Sequence, residues 1–333
     1  MPDSNRLLSF FRRWDAREVA PLVSLALLVA FFMLAAPNFV KIATATAILK
    51  QGSVLAIVAA GLTFVLLCAE IDLSVGMIAL WCAASCGWLY QRWMGGDGGE
   101  PFWTVSAVLL LPLASCLLLG LVSGLLTVWS ALPSFIITLA MMFIAEGSSR
   151  YLTQSKLLKI PSLLATVGND GLRWDGRVIV PYSALLAAGV LVAGHVVLQH
   201  TRFGRYVYMT GGNREAARLA GVRTGRIVLA CLAISAVTAG LGGLVNAGRM
   251  TNVTLDQNKD LLLSAVACVV LGGTSLFGGE GGMGKTTIGV LTFTVLNAGL
   301  IQITWINDLA RQLLTGVVLM IALVINGVLA KRN

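Results

Sequence analysis

Thr201-Arg202-Phe203-Gly204-Arg205-Tyr206-Val207-Tyr208-Met209-Thr210-Gly211-Gly212-Asn213-Arg214-Glu215-Ala216-Ala217-Arg218-Leu219-Ala220-Gly221 separates two apolar stretches. A run this rich in Arg, Gly and Asn does not cross a bilayer, and its arginines put it on the cytoplasmic side. Its second half spells a short capped surface helix. Asn213 is a good N-cap, Glu215 sits in the first turn where the helix dipole favours an anion, and Gly221 suits the left-handed position past the last turn. A membrane protein that holds such a helix on its cytoplasmic face offers it to a soluble partner.

The rest of the chain fits that frame. Its 333 residues are 57% hydrophobic and only 12% charged, with a mean hydropathy of +0.85, whereas soluble domains carry about 25% charged residues. The apolar residues fall in blocks of about 17–28, long enough to span a bilayer. The expected fold is all-α, a polytopic transmembrane helical protein of about ten spans. They lie near 21–37, 45–68, 73–90, 102–128, 134–152, 181–199, 226–247, 261–277, 286–303 and 308–330. Residues 1–20 then form a cytoplasmic segment and 21–330 a single transmembrane domain, leaving no length for a soluble one. Arg6, Arg12, Arg13 and Arg17 precede the first span. No small-x-small cleavage site follows, so that span reads as uncleaved with its N-terminus inside. Parity places 200–225, 278–285 and Lys331-Arg332 inside and the polar connection 153–180 outside.

The net charge of +9 does not point to nucleic acid, because the basic residues border apolar spans as topology signals do. The six cysteines (Cys68, Cys82, Cys86, Cys116, Cys231, Cys268) all fall within apolar spans. They show no CxxC or Cys/His ligand spacing, so they read as small buried side chains, and no metal site is expected. Among the 36 glycines, Gly240, Gly242 and Gly243 lie in one span and Gly272, Gly273, Gly278 and Gly279 surround another. Such glycines serve close helix packing, or breaks that line a path.

Four motifs have two readings each. In Ile71-Asp72-Leu73-Ser74-Val75-Gly76, Asp72 with Ser74 either caps the next helix or fixes a turn beside a pathway, since carboxylates next to a span are expensive. In Leu132-Pro133-Ser134-Phe135-Ile136-Ile137-Thr138-Leu139, the proline starts a helix and Thr138 either bonds its own backbone or lines a pore. Gly279-Glu280-Gly281-Gly282-Met283-Gly284-Lys285-Thr286 fits a phosphate-binding loop letter by letter. That motif needs a strand before it in a soluble α/β unit, whereas membrane-span character flanks it here, so the match reads as incidental. Thr63, Asn246, Asn297, Gln302 and Asn326 are intramembrane but uncharged. They either bond neighbouring helices or favour a neutral, hydroxyl-rich solute.

Taken together, Ile71–Gly76, Pro133–Leu139, Thr201–Gly221, Leu271–Gly279 and Asn297-Ala298-Gly299-Leu300 resemble, in family order from about residue 50 to the end, the permease subunits of bacterial ATP-binding-cassette sugar importers of the ribose/xylose/arabinose type. The resemblance implies an importer transmembrane domain in the bacterial inner membrane, translocating a sugar or polyol. A cytoplasmic ABC ATPase would bind and hydrolyse ATP, so the chain itself would carry no cofactor and no catalysis. A periplasmic solute-binding protein would deliver the solute, and a second permease copy, identical or similar, would complete the pore within membrane lipid. ATPase coupling would fall to Arg202, Phe203, Gly204, Arg205, Gly212, Asn213, Glu215, Ala216, Ala217 and Gly221, with the small residues facing the ATPase. Asp72, Ser74, Thr138, Asn246 and Asn297 are the pathway or structural candidates. Three positions depart from the family pattern. Glu70 stands where Gly is usual and puts the local turn in doubt, Ser134 replaces a second Pro, and Lys285 replaces a Gly, an exchange expected to loosen helix packing. An amino-acid importer, a membrane-bound phosphate-loop ATPase and an ion-coupled carrier are the rival readings.

Overall fold

A computed structural model of the chain describes residues 16–93, 100–154 and 156–303, together with 307, 310, 311, 313–317, 320 and 324. Among them the elements are α1 (Ala16–Ala35), α2 (Ile42–Leu67), α3 (Val75–Trp93), α4 (Phe102–Ser130), α5 (Ser134–Thr153), α6 (Ser162–Asn169), β1 (Gly171–Trp174), β2 (Arg177–Pro181), α7 (Tyr182–His200), α8 (Arg202–Gly212), α9 (Arg214–Leu219), α10 (Thr224–Met250), α11 (Leu261–Leu271) and α12 (Met283–Gln302). Proline sets the start of α4, α5, α6 and α7. Pro101, Pro133, Pro161 and Pro181 occupy the N-cap position with ψ between 134° and 145°. A ring-locked φ with extended ψ is what an N-cap residue needs.

Helices α2, α4, α5, α7, α10 and α12 are long and apolar enough to cross a membrane. The apolar part of α1, Ala20–Ala35, and α11 are shorter. The span expected over 261–277 stops at Leu271, where the chain turns through Gly273 at φ +95°. The last expected span, 308–330, and most of the segment 1–20 lie outside the described residues.

The bundle is built around α2 and α10, most of whose side chains are buried, while α4, α5 and α7 turn Leu118, Leu125, Trp129, Phe143 and Val192 outward. Apolar side chains facing out are what lipid solvates, so close helix contact inside comes from small residues. A Cβ at Gly120 of α4 would come within 3 Å of Ala233 and Ala236, and one at Gly243 of α10 would strike the Ala79 backbone.

The all-α expectation is corrected at one place. β1 and β2 pair antiparallel and turn at Asp175-Gly176, both with positive φ (+50° and +73°). Two left-handed central residues make a type I′ hairpin turn, for which Asp-Gly is a strong sequence signal. The hairpin is pinned to α2, where the Thr46 hydroxyl donates to the Val178 carbonyl at 2.9 Å.

The connections gather at two ends. At one, Gly279 N–H donates to the Leu67 carbonyl (3.0 Å), Ile71 N–H donates to Ser134 Oγ (3.0 Å) and the Tyr208 hydroxyl donates to the Gly281 carbonyl (3.0 Å). At the other, Lys50 Nζ donates to the Asn169 carbonyl (2.6 Å), Asn169 Nδ2 to the Gly248 carbonyl (2.9 Å) and Val253 N–H to the Leu158 carbonyl (3.0 Å).

Candidate functional site

Helix α2 ends at Leu67, and Cys68–Ser74 lead to α3 without helical structure. Ala69 is held left-handed at φ +58°, a strain of roughly 1–3 kcal/mol for a residue with a Cβ. Much of this segment is buried, so its polar groups need partners. Asp72 is buried; Ser74 N–H and the Ser74 hydroxyl donate to its Oδ1 (3.0 and 2.6 Å), and the Ser235 hydroxyl of α10 donates to its Oδ2 (2.7 Å). On the other side Ile71 N–H donates to Ser134 Oγ and Leu73 N–H to Thr138 Oγ1, both at 3.0 Å. Helices α5 and α10 thus hold the break between α2 and α3 from two sides.

The stretch 201–221 forms two helices where one was expected. Thr201 caps α8 by accepting from Gly204 N–H (3.1 Å), and a Cβ at Gly204 would sit 2.1 Å from the Leu198 carbonyl oxygen. Phe203 packs against Phe64, ring centroids 6.2 Å apart. Arg202, Arg205 and Gly212 are exposed. Asn213 caps α9, its Oδ1 accepting from Ala216 N–H (2.9 Å). At the far end of α9, Val222 N–H reaches the Ala217 carbonyl and Gly221 N–H the Arg218 carbonyl, both 2.9 Å. With Gly221 at φ +82°, this is a Schellman stop.

One expected contact is corrected. Ala217 does not face outward; it is 2% exposed and packs with Leu198, Val207, Val222 and Val228. A six-residue helix must bury one side to be held at all, and Ala217 with its hydrophobic partner Val222 supplies it. The outward face is Glu215, Ala216, Arg218 and Leu219, the last 83% exposed. Leu219 was missed in the sequence because a single apolar residue among arginines carries no periodicity.

Two departures from the family pattern meet here. Glu70 is nearly buried and pairs with Arg214 of α9, so the charge that put the turn in doubt is neutralised. Ser134 is the acceptor for Ile71 N–H, which a proline could not be. The third departure does not loosen helix packing. Gly272 still lies against the Lys285 carbonyl and Gly289 against the Cys268 carbonyl, while the Lys285 stem passes over Gly273. In the phosphate-loop look-alike, Thr286 is buried and its hydroxyl lies 2.7 Å from the Thr63 hydroxyl.

Asn246 and Asn297 lie away from this cluster. Asn246 Nδ2 donates to Asn258 Oδ1 (2.8 Å), and its Oδ1 accepts from Arg249 (3.1 Å). Asn297 lines a cleft of about 600 Å³ with Asp260, Ser264, Phe293, Arg311 and Thr315. At the same end Glu100 takes the Tyr90 hydroxyl (2.6 Å) and Ser162 N–H (3.1 Å). Burial draws the Glu100 carboxyl up, but the hydrogen bonds from Ser162 and Tyr90 outweigh it and hold it below its ordinary value. Among the described residues no group of three His, Cys, Asp or Glu is placed to hold a metal ion.

Residues 44–323 match the family described as branched-chain amino acid transport system / permease component. The chain is 32% identical over 321 residues to the ribose import permease protein RbsC of Escherichia coli (strain K12), covering 95% of each chain. It is 30% identical over 315 residues to the autoinducer 2 import system permease protein LsrC of Photorhabdus luminescens, covering 93% of this chain and 90% of the other. It is 29% identical over 326 residues to the probable ABC transporter permease protein YphD of Escherichia coli (strain K12). No solved structure matches the chain.

Proposed function

The chain belongs to this permease-component family and is a multi-pass, non-catalytic membrane permease; from that premise we propose that it imports a sugar or polyol across the bacterial inner membrane. A separate cytoplasmic ATPase energises the cycle, a periplasmic binding protein delivers the solute, and two permease copies enclose the path. The single observation that carries the reading is the junction of α2, α8, α9 and the glycine loop 278–282. There a short basic helix with an exposed Leu219 stands at the end of the bundle and is bonded to a buried break in the membrane helices. Such a helix suits docking, and the break suits a conformational response.

The ten-span topology belongs to the same proposal. It counts α1, α3, α11 and the helical residues after 309 as spans besides the six long helices. Support comes from the alternation of connections between the two ends, with 68–74, 131–133, 201–223 and 272–282 at one and 36–41, 156–181 and 251–260 at the other. The loop 279–286 is structural in this reading, and stoichiometric ATP binding by the isolated chain would overturn that.

Sugar over amino acid rests on the relatives, a ribose import permease and an autoinducer 2 import permease; the cleft at Asn297, which also holds Asp260 and Arg311, does not separate the two. Cells lacking the chain should lose high-affinity uptake of one sugar or polyol and keep amino-acid uptake. The reverse pattern would move the protein to the amino-acid class.

A further inference from the structure

We infer that Glu70 and Arg214 form a charge tie that transmits movement of α9 into the buried segment 68–74, making both positioning residues of the transport cycle; this rests on the reading of α8–α9 as the ATPase-docking element. The Glu70 side chain is 9% exposed and the Arg214 side chain 42% exposed, so the pair bridges the bundle interior and its surface. On the surface side Arg214 is the first residue of α9, directly after the Asn213 cap. On the inner side Glu70 N–H is fixed to the Val65 carbonyl (3.1 Å), and the residues that follow are bonded to Ser134, Thr138 and Ser235. A pull on Arg214 therefore reaches α5 and the middle of α10 through the main chain of 70–73 and the hydrogen bonds it makes.

The apolar contact of Ala217 with its neighbours cannot do this as well. Such contacts are non-directional and let surfaces slide, whereas a charge-assisted bond is strong and fixes geometry. Glycine, the usual family residue at 70, offers no side chain for the link. Glu70 therefore supplies a coupling contact that the glycine implied by the resemblance would not.

The test uses the whole complex, permease with its ATPase and binding protein, reconstituted in vesicles. The readout is ATP hydrolysed per solute imported, which a purely structural pair would leave unchanged. Glu70→Gln, close to isosteric, should retain the ATPase and raise that ratio at least fivefold. Arg214→Gln should raise it as much, the double Gln variant no further, and Arg214→Lys should stay within twofold of wild type. Non-additivity is the mark of two residues acting as one unit. The tie is overturned if Glu70→Gln keeps the wild-type ratio, if the two Gln variants add, or if their defect is only loss of folded permease. A wild-type complex that neither retains an ATPase nor imports would overturn the reading beneath the tie, and the tie with it.

Discussion

Gly211→Ala tests the junction most directly. A methyl at 211 would lie 1.8 Å from the Leu67 carbonyl oxygen, 2.8 Å from its carbon and 2.9 Å from Gly279 N. Non-bonded heavy atoms settle at roughly 3.5–4.0 Å, so α8 must leave the end of α2 by more than an ångström. The same shift opens the Gly279 N–H bond to the Leu67 carbonyl, now 3.0 Å. Overpacking costs about 1–3 kcal/mol and the lost bond about 1 kcal/mol. The sum, about 2–4 kcal/mol, is a large part of the roughly 5–15 kcal/mol that holds a domain folded. Gly212→Ala is the matched control, because a Cβ there meets nothing within 4 Å and alanine favours helix. Thermal unfolding in detergent should show Gly211→Ala melting several degrees below wild type and Gly212→Ala at or above it. Equal melting of the two variants, with uptake intact in both, would refute the close approach.

Leu219→Asp should leave expression and melting near wild type but lose the ATPase on co-purification, whereas Ala217→Asp should fail earlier, as unfolded or degraded chain, because it buries an unpaired charge; the opposite order would put Ala217 back on the docking face. Single cysteines at Gly212 and Trp174, in a background without the native six, should label with an impermeant reagent from opposite sides of the membrane. Labelling of both from the periplasm would end the ten-span topology. The Glu100 clamp has a pH signature. Its carboxyl is held below its ordinary value, so its contribution is present above the unfolded pKa of about 4.3 and is lost as pH falls through the lower folded value. Hydrogen exchange in 157–170 should rise below about pH 4 in wild type, and Glu100→Gln should flatten that dependence; an unchanged profile in Glu100→Gln would remove the clamp.

Much of the fold was legible because membrane helices are written as long apolar blocks, and the prolines and Asn213 mark their starts. The hairpin is also legible at Asp175-Gly176, but its two short strands carry far less hydropathy signal than the spans around them. The full length of the 261–277 block was overread, since Val269-Val270-Leu271 runs apolar straight into Gly272-Gly273 and hydropathy does not register a turn. The motifs were visible singly, but their meeting was not. Leu67, Gly211 and Gly279 touch only because three backbones approach where side chains are missing, and no spacing along the chain encodes that.

Among the five polar candidates, the structure separates satisfaction from recognition. Asp72, Ser74 and Thr138 bond one another's segments across the break after α2, and Asn246 ties α10 to Asn258 and Arg249. A buried polar group bonded in this way is meeting the cost of irregular backbone away from water, so it says little about the solute. Asn246, one of the uncharged residues that favoured a neutral solute, therefore no longer speaks for a sugar. That inference passes to groups lining open space, where Asn297, its Oδ1 3.5 Å from the Thr315 hydroxyl, shares the 600 Å³ cleft with Ser264, Thr315, Asp260 and Arg311. A volume of this order suits a small solute, and the carboxylate and guanidinium cancel in net charge. Both a polyol, which offers paired hydroxyls to such groups, and a zwitterion meet that chemistry. The uptake pattern of cells lacking the chain is accordingly the measurement that decides between them, and it turns on the cleft rather than on the conspicuous Asp72.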